Sequence, residues 1–501
     1  MRGPSASHCA ASVRIGRIAR DLMSGNIRKV LIEFDRSGSL ATTHETQGSD
    51  IGLFAGILGW DITDERLAES KHFLDEAGIG VEINISDLKA DHPNTYKLTL
   101  ANEDESHSIT ALSTGGGIIE VIEIDDFKLS IAGDYYETII FTSAPDAVKF
   151  INDKFKYSEI IVLQAGEKFL VEIKSQSFVS ENDKQELSEK YKVHIKQLSP
   201  VLPILSREGL NVPFLTADEM TAYNLDKNLS LWELALIYES GRGGITKEKV
   251  FDMMKEIVNI IIDSAEKGIA GTKYEDRILG WQSGNYKKEF NTGKLFGDGL
   301  LNQIILSVTA LMEMKSSMGL IVAAPTAGSC GGLPGTVIGA GNELKLSQDE
   351  MTRAMLAAGM IGIFIAHKST FAAEVCGCQA ECGAGSGMAA AALVTIKGGT
   401  TQQALDAASM ALQNILGMTC DPVANRVEVP CLGKNVMAAV NALSCANMAL
   451  AGFDKVIPLD EVIETMDVVG KSLPRELRCT ALGGLSITSS SKEIEKKLNK
   501  K

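Results

Sequence analysis

Three cysteines stand in glycine-rich or proline-bearing segments of the second half of the chain. Cys378 lies in CGCQAECGAGSGMAAA, and Cys420 and Cys431 bound the stretch CDPVANRVEVPC, so the three are 42 and 11 residues apart. Three thiolates can hold three irons of a cubane cluster, which leaves the fourth iron open as a Lewis acid for a substrate hydroxyl. The spacing therefore predicts an iron-sulfur site suited to the elimination of water.

Two simpler interpretations of such cysteines compete with this one. A thiol in an alanine-rich helix usually packs as a small apolar side chain, and we expect this of Cys445 and Cys479. A zinc site is the other alternative, since Cys376, Cys378 and Cys382 lie close together, although CxCxxxC lacks the paired CxxC of structural zinc sites. Loop amides in CDPVANRVEVPC can point at cluster sulfur, which favours the cluster.

The composition is that of an acidic globular protein. The 501 residues carry a formal charge of -15 and are 45% hydrophobic, and no basic tract suggests a nucleic-acid partner. Apolar runs such as MLAAGMIGIFIA fall short of the roughly 20 residues that a membrane span needs. The odd number of cysteines, nine, and the absence of an apolar leader in MRGPSASHCA indicate a reducing cytoplasm.

The elements that must position these cysteines fall into three predicted domains, because the chain is too long for one hydrophobic core. Residues 1–125 alternate strand candidates (KVLIEF, YKLTLA) with helix candidates, which predicts an α/β domain. Residues 127–200 show the βαββαβ order of a ferredoxin-like, ACT-like α+β module. A proline-bearing linker at 198–214 precedes an all-α domain at 215–501, whose glycine-rich loops carry the cysteine motifs.

Several segments in combination resemble one family. APTAGSCGGLPGTVIG, the two cysteine segments and the closing LGGLSIT resemble the α domain of iron-sulfur-dependent L-serine dehydratases. The opening GPSASHCAASVRIGRIAR resembles the start of their β domain, so nearly the whole chain is covered, as in the fused single-chain type. The resemblance implies an L-serine ammonia-lyase that forms pyruvate and ammonium without pyridoxal phosphate, and a homodimer.

The resemblance also implies which residues hold the cofactor. A [4Fe-4S] cluster would be held by Cys378, Cys420 and Cys431. The sequence leaves open whether Cys330 or Cys376 replaces one of these ligands. The cluster domain is expected to be the helical one.

The remaining site residues implied by the resemblance surround a histidine. His8, in GPSASHCA, matches the family's catalytic histidine and is the leading acid–base candidate, although a lone histidine at a helix start is ordinarily structural. Ser5 and Ser7 flank it, and either bind a substrate carboxylate or cap the helix. Thr326 and Ser329 lie in a glycine-rich loop that offers hydroxyls and amides for anion binding, or forms an ordinary tight turn.

Two departures from the family pattern concern the substrate. Lys368, in HKSTFAAEV, stands where an Asn is expected and adds a charge that can bind a carboxylate. The loop at 292–299 reads TGKLFGDG where the family has a sequence like SGKSLSG. Both segments are expected to face the substrate. Another small β-hydroxy amino acid or hydroxy acid therefore stays open as an alternative substrate.

Two further functions remain as alternatives. Pyridoxal-phosphate elimination is suggested by the glycines at 115–117, which mimic a phosphate cup, but these lie far in sequence from the cysteine loops. A non-catalytic amino-acid or iron-sulfur sensor would use the ACT-like module and bind ligand without turnover, because a fold does not fix a function.

Overall fold

The computed structural model describes residues 1–3, 5–156, 158–202, 205, 212–297 and 299–499. Two sheets lie in the first 200 residues, and helices follow from residue 217 onward. The predicted α/β N-terminal region and helical C-terminal region are thereby confirmed. Most of the predicted linker, residues 203–204 and 206–211, lies outside the described residues.

The N-terminal region is built on a mixed sheet with helices against it. Its strands are β1 (Lys29–Asp35), β2 (Gly80–Ser86), β3 (Thr95–Ala101), β4 (Ser106–Gly115), β5 (Ile118–Ile124) and β6 (Phe127–Ile131). Its helices are α1 (Ala6–Asp21), α2 (Leu40–Thr43), α3 (Ser49–Ile57) and α4 (Ser70–Glu76). The strand order is β2-β1-β3-β4-β5-β6, with β1 and β2 parallel and the other neighbours antiparallel. Strand β6 carries this sheet past residue 125.

Strand β1 shows why this region folds around α1 and α3. Val30, Ile32 and Phe34 are fully buried, because alternate side chains of a strand point to the same face. They share one core with Ile15 of α1 and Leu53 of α3. The sheet thus holds the two helices that carry the N-terminal motif.

A second, antiparallel sheet follows. Its elements are β7 (Tyr136–Thr142), α5 (Pro145–Lys154), β8 (Glu159–Ala165), β9 (Lys168–Ser175), α6 (Glu181–Lys190) and β10 (Val193–Leu198), in the predicted βαββαβ order. The strand order is β10-β7-β9-β8. Ile151 of α5 and Leu187 of α6 pack on Ile140 at one face. Ile139 and Leu170, on the other face, join the core of the first sheet.

The helical region begins after residue 212. Its helices are α7 (Ala217–Asn224), α8 (Leu231–Gly243), α9 (Lys247–Ala270), α10 (Ser283–Asn291), α11 (Gly299–Ser316), α12 (Gly332–Leu344), α13 (Gln348–Lys368), α14 (Ala373–Cys376), α15 (Cys382–Ile396), α16 (Thr401–Gln413), α17 (Cys431–Leu450), α18 (Leu459–Ser472) and α19 (Ser489–Leu498). Capping boxes begin α8, α13 and α16, where a Ser or Thr and the Glu or Gln three residues later satisfy free amides.

Helix α15 lies at the centre of this region. It packs against α12, α13, α16 and α17, and its residues from Cys382 to Val394 are all buried. A helix that is apolar on every side must lie inside the protein. The cysteine motif just before it is therefore brought into the interior. Among the described residues, no helix combines the length and the apolar character needed to cross a membrane.

Candidate active site

A small buried pocket lies where the N-terminal region meets the helical region. Its lining includes Ser5 and His8 from the first region, and Gly328, Glu374, Glu381, Cys420 and Cys431 from the second. These residues are far apart in sequence. The contact between the two regions therefore builds the pocket, and the predicted histidine and two of the predicted cysteines meet there.

Close packing of α1 on α3 fixes the position of His8. A Cβ atom on Gly52 would lie 2.4 Å from the carbonyl oxygen of Cys9, and one on Gly56 would lie 2.3 Å from that of Val13. These distances are too short for any side chain, so only glycine permits this approach of the two helices. The close packing of α1 on α3 consequently fixes the position of the His8 backbone.

Each ring nitrogen of His8 lies close to a polar side chain. Its Nδ1 lies 2.8 Å from Ser5 Oγ, and its Nε2 lies 2.9 Å from Glu374 Oε1. The second pair is close enough for an ion pair but is not aligned as a hydrogen bond, and within the described chain Nε2 has no hydrogen-bond partner. His8 is therefore buried between a hydroxyl and a carboxylate, with Nε2 lacking an aligned hydrogen bond.

Glu374 supplies a negative charge beside that imidazole. Burial by itself would raise the pKa of Glu374, but the close contact with the His8 imidazole outweighs burial and lowers this pKa to about 2. A carboxylate that stays ionised stabilises a protonated imidazole and fixes its orientation. Sequence analysis missed Glu374; the only local signal was an acidic residue in the apolar run FAAEV before the first cysteine motif.

The loop before α12 is tied to both walls of the pocket. The amide of Ala327 donates a hydrogen bond to Ser7 Oγ at 2.8 Å. Thr326 Oγ1 donates to Glu381 Oε1 at 2.6 Å and lies 3.2 Å from Ser329 Oγ. Ser7, Thr326 and Ser329 therefore lie in or against the loop that carries the pocket residue Gly328, and their hydroxyls already have protein partners.

Glu381 is a second carboxyl group that sequence analysis missed. Burial, the thiol of Cys378 and the charge of Glu374 raise the pKa of Glu381 to about 8. The group is therefore largely protonated at neutral pH. It follows Cys378 by three residues in the same motif, so its proximity to the cysteines was readable from the sequence, whereas its burial was not.

The cysteines of the motifs form one group of thiols. Cys378 Sγ lies 3.6 Å from Cys382 Sγ. Hydrogen bonds from Cys382 and from Cys420 lower the pKa of Cys378 below that of an ordinary thiol. Cys431 lies in the same group, and burial raises its pKa to about 12. The structure thus places Cys378, Cys420 and Cys431 together, as the spacing suggested.

The chemistry of this group fits an iron-sulfur cluster. Thiolates are the usual ligands of such clusters. Lys434 Nζ donates to Asp421 Oδ1 at 3.0 Å and to a neighbouring carbonyl, which places a positive charge beside the thiols. Cys431 is the first residue of α17, and a helix N-terminus favours a thiolate. Cys378, Cys420 and Cys431 thus offer thiols of the kind that such a cluster needs.

Two cysteines that we considered as substitutes point elsewhere. Cys376 Sγ faces Asp467 Oδ1 at 3.7 Å, and Cys330 Sγ lies 3.7 Å from Met312 Sδ. The predicted alternative of a zinc site at Cys376, Cys378 and Cys382 is not supported, because Cys376 points away from the other two thiols. Within the described ranges, no three Cys, His, Asp or Glu side chains are grouped to hold a single metal ion.

The two cysteines expected to be merely buried differ from one another. Cys445 lies in α17 with its sulfur 3.4 Å from Asn414 Nδ2, within the main helical core. Cys479, in contrast, lines the pocket together with Cys420 and Cys431. Cys479 is buried as expected, in a small cluster that also contains Cys378 and Cys420.

Neither departure from the family pattern brings its residues to the pocket. Lys368 ends α13 and its ammonium pairs with Glu464 of α18. Lys368 is not among the residues that line the pocket, and its contact with a substrate carboxylate stays a prediction. In the loop at 292–299, Phe296 is 98% exposed and its carbonyl accepts a hydrogen bond from Asn302 of α11. Asp298 lies outside the described residues.

Comparison with known proteins shows the family to which this chain belongs. A family model for the serine dehydratase alpha chain matches residues 226–486. The probable L-serine dehydratase alpha chain of Bacillus subtilis is 36% identical over 285 residues, which are 57% of this chain and 95% of that protein. The L-serine dehydratase alpha chain of Peptoniphilus asaccharolyticus is 36% identical over 284 residues, 56% of this chain and 97% of that protein. The chain belongs to the serine dehydratase alpha chain family.

The region before residue 226 is also matched by a relative. The L-serine dehydratase of Helicobacter pylori is 26% identical over 495 residues, which cover 97% of this chain and 96% of that protein. The similarity therefore extends over both the N-terminal and the helical region. The predicted resemblance to a fused, single-chain enzyme is confirmed.

Proposed function

We propose that this protein is an L-serine ammonia-lyase that converts L-serine into pyruvate and ammonium. The observation that carries the proposal is the convergence of the His8–Glu374 pair with the thiols of Cys420 and Cys431 in one buried pocket. The names of its relatives support the same reaction. The reaction requires loss of the α-proton and of the β-hydroxyl, and the two halves of the pocket offer groups for each.

We further propose that Cys378, Cys420 and Cys431 hold a [4Fe-4S] cluster. When bound, such a cluster supplies an open iron that acts as a Lewis acid toward the hydroxyl. The donor set described above supports this assignment. Lys434, close to the thiols, would offset part of the negative charge that three thiolates bring into a buried site.

His8 is the proposed general base. Its side chain lines the pocket, and Nε2 is buried without an aligned hydrogen bond among the described residues, which supports a role in accepting the α-proton. Ser5 fixes the ring through Nδ1. The ionised Glu374 stabilises the imidazolium that results, as a carboxylate does for a histidine in other acid–base pairs.

The hydroxyl-bearing residues are proposed to bind the substrate. Ser5 and Gly328 line the pocket, while Ser7, Thr326 and Ser329 form hydrogen bonds in or against the loop that carries Gly328. Their donors suit a carboxylate, whose oxygens accept hydrogen bonds. Since Lys368 pairs with Glu464 instead, the charge that suggested a different substrate is absent from the pocket. L-serine is accordingly favoured over larger hydroxy acids.

The outer parts of the molecule have proposed roles as well. We assign the first sheet, including β6, with its helices as a β-type domain, the second sheet with α5 and α6 as an ACT-like module, and residues 215–501 as an α-type domain. A cleft of about 590 Å³, lined by Phe127, Phe141, Lys168 and Lys192 among others, lies beside the module and is a place for a small regulatory ligand. We expect a homodimer in the cytoplasm, where nine unpaired cysteines would stay reduced.

Anaerobic reconstitution tests the proposal. The full chain is incubated with iron and sulfide under nitrogen, and pyruvate and ammonium are measured after addition of L-serine. We expect equal amounts of both products, no product from the protein before reconstitution, and a large loss of rate in His8→Ala. Turnover by the untreated, iron-free protein would contradict the proposal, as would an iron-loaded protein that binds L-serine without product.

A further inference from the structure

A fully buried lysine lies in the last turn of α11 without a carboxylate to pair with. The side chain of Lys315 has no exposed surface, and its Nζ donates a hydrogen bond to the carbonyl oxygen of Val427. Among the described residues, this is the one hydrogen bond of the ammonium, and no Asp or Glu oxygen lies within ion-pair distance of it. Because a lysine ammonium has three N–H donors, most of its bonding capacity is unused.

An unpaired lysine in the interior is unusual, because a buried charge costs free energy unless an opposite charge compensates it. Lys196, which is also buried, shows the usual arrangement, with its Nζ 2.7 Å from Glu105 Oε2. The end of α11 offers Lys315 only the partial negative charge of a helix C-terminus. The ammonium of Lys315 therefore needs a further negative charge nearby.

The hydrogen bond to Val427 places Lys315 against the segment that carries two of the proposed ligands. Val427 lines the pocket together with Cys420 and Cys431, and it packs in the same small core as Cys431. Burial raises the pKa of the Cys431 thiol to about 12, and the charge of Lys315 is the strongest of the influences that lower it. The ammonium is therefore near this sulfur.

Two carboxyl groups also lie within range of this charge, but both are engaged elsewhere. Glu428 accepts hydrogen bonds from two backbone amides, at 2.8 and 2.9 Å. Burial raises the pKa of Glu381 to about 8, so this group carries little charge at neutral pH. Neither forms an ion pair with Lys315 in the part of the chain that the structure describes. The group of thiols is the remaining source of negative charge for this lysine.

Resting on the proposed cluster, we propose that Lys315 is the buried counter-charge of that cluster. A [4Fe-4S] core with two positive charges and three thiolates carries one net negative charge, which one ammonium balances. Lys434 provides only part of this balance, since Asp421 pairs with it at 3.0 Å. Lys315 lies behind the residues that line the pocket, so it is a positioning residue that acts on the cluster through its charge.

Three variants of the full chain separate the charge from the hydrogen bond. Lys315→Met removes both, whereas Lys315→Gln removes the charge and keeps a donor for the Val427 carbonyl. Lys196→Met is the matched control, a buried lysine of the second sheet. Each protein is reconstituted anaerobically with iron and sulfide, and its iron content is measured. Electron paramagnetic resonance then follows a redox titration of the cluster, and the loss of iron to a chelator is timed.

We expect both Lys315 variants to have a lower reduction potential than the wild type, because reduction adds a negative charge to the cluster. Both should also lose iron to the chelator several times faster. Lys196→Met should match the wild type in both measurements. Without iron, the urea midpoint of Lys315→Met should equal or exceed that of the wild type, since this variant removes an unpaired buried charge.

The outcomes separate this proposal from the one on which it rests. A wild type that takes up no iron would overturn the cluster and the role of Lys315 together. A loaded wild type with the same potential and iron loss as both Lys315 variants would overturn the role of Lys315 alone and leave the proposed lyase intact.

Two further results would also contradict the counter-charge. One is a change in Lys315→Met that Lys315→Gln does not show, because the hydrogen bond to Val427 would then account for the effect. The other is the failure of both Lys315 variants to fold without iron, because an unpaired charge does not stabilise the cluster-free protein.

Discussion

His8 Nε2 lies 2.9 Å from Glu374 Oε1, and both side chains are buried. One residue belongs to the first helix of the N-terminal region and the other to the short helix before the first cysteine motif. The pair joins the two regions at the point where the thiols gather. Acid–base chemistry and sulfur ligands consequently meet only when both regions are folded together.

Glu374→Gln should lower kcat for L-serine by about 10²- to 10⁴-fold, the usual contribution of a general acid–base pair. The amide keeps the shape of the side chain but cannot stabilise the imidazolium. The double variant His8→Ala/Glu374→Gln should lose about as much as the single variants, because the two groups act as a unit. Steady-state pyruvate release at equal iron content measures this. Additive losses would show that the two residues act independently.

Cys420→Ser should abolish the cluster, whereas Cys445→Ala should retain it. Cys420 belongs to the pocket and its thiol contacts Cys378, while Cys445 packs in the main helical core. Iron and sulfide contents and the brown absorbance after anaerobic reconstitution provide the readout. An equal loss of iron from both variants would contradict the ligand assignment.

Gly52→Ala should destabilise the protein by about 1–3 kcal/mol, the usual cost of overpacking a tight contact. The new methyl group would meet the Cys9 carbonyl at 2.4 Å and push α1 from α3. Because α1 carries His8, kcat should fall as well. Gly359→Ala, in α13, is the matched control: its Cβ meets no atom within 4 Å, so stability should hold or rise by up to about 1 kcal/mol. The free energy of unfolding of both variants is measured by urea denaturation. An equal change in the two variants would contradict the tight contact at Gly52.

A carboxyl pair between the two sheets should make stability depend on pH. Burial and the neighbouring Glu172 raise the pKa of Glu137 to about 9, from an ordinary value of 4.5. The folded protein therefore holds a proton that the unfolded chain releases at lower pH. The stability from this proton is fully present below pH 4.5 and is lost as the pH rises through about 9.

Glu137→Gln should remove most of this dependence, since glutamine resembles the protonated acid. The Tm of the wild type, measured without cluster, should fall from about pH 6 to about pH 9 more steeply than that of the variant. Glu167→Gln, at the exposed turn between β8 and β9, serves as the control and should follow the wild type. Parallel curves for wild type and Glu137→Gln would contradict the shared proton.

Periodicity and motif spacing predicted the helices and strands but not the contacts between residues from distant segments. Strands β1 and β3 and helices α1 and α3 were foreseen because their apolar residues follow the periods of strands and helices. Glu374 was missed because its place beside His8 depends on a contact between distant segments. Lys368 was expected near substrate because of its place in a motif, yet the last turn of α13 directs it to Glu464. Local sequence carries no signal for such partners.

The most direct measurement is L-serine turnover as a function of bound iron. Samples of the full chain are reconstituted anaerobically to graded iron contents, and pyruvate release is measured before and after brief exposure to air. We predict that the rate rises in proportion to the fraction of chains with a complete cluster and that air removes it. A rate that is independent of iron content and survives air would contradict a cluster-dependent L-serine ammonia-lyase.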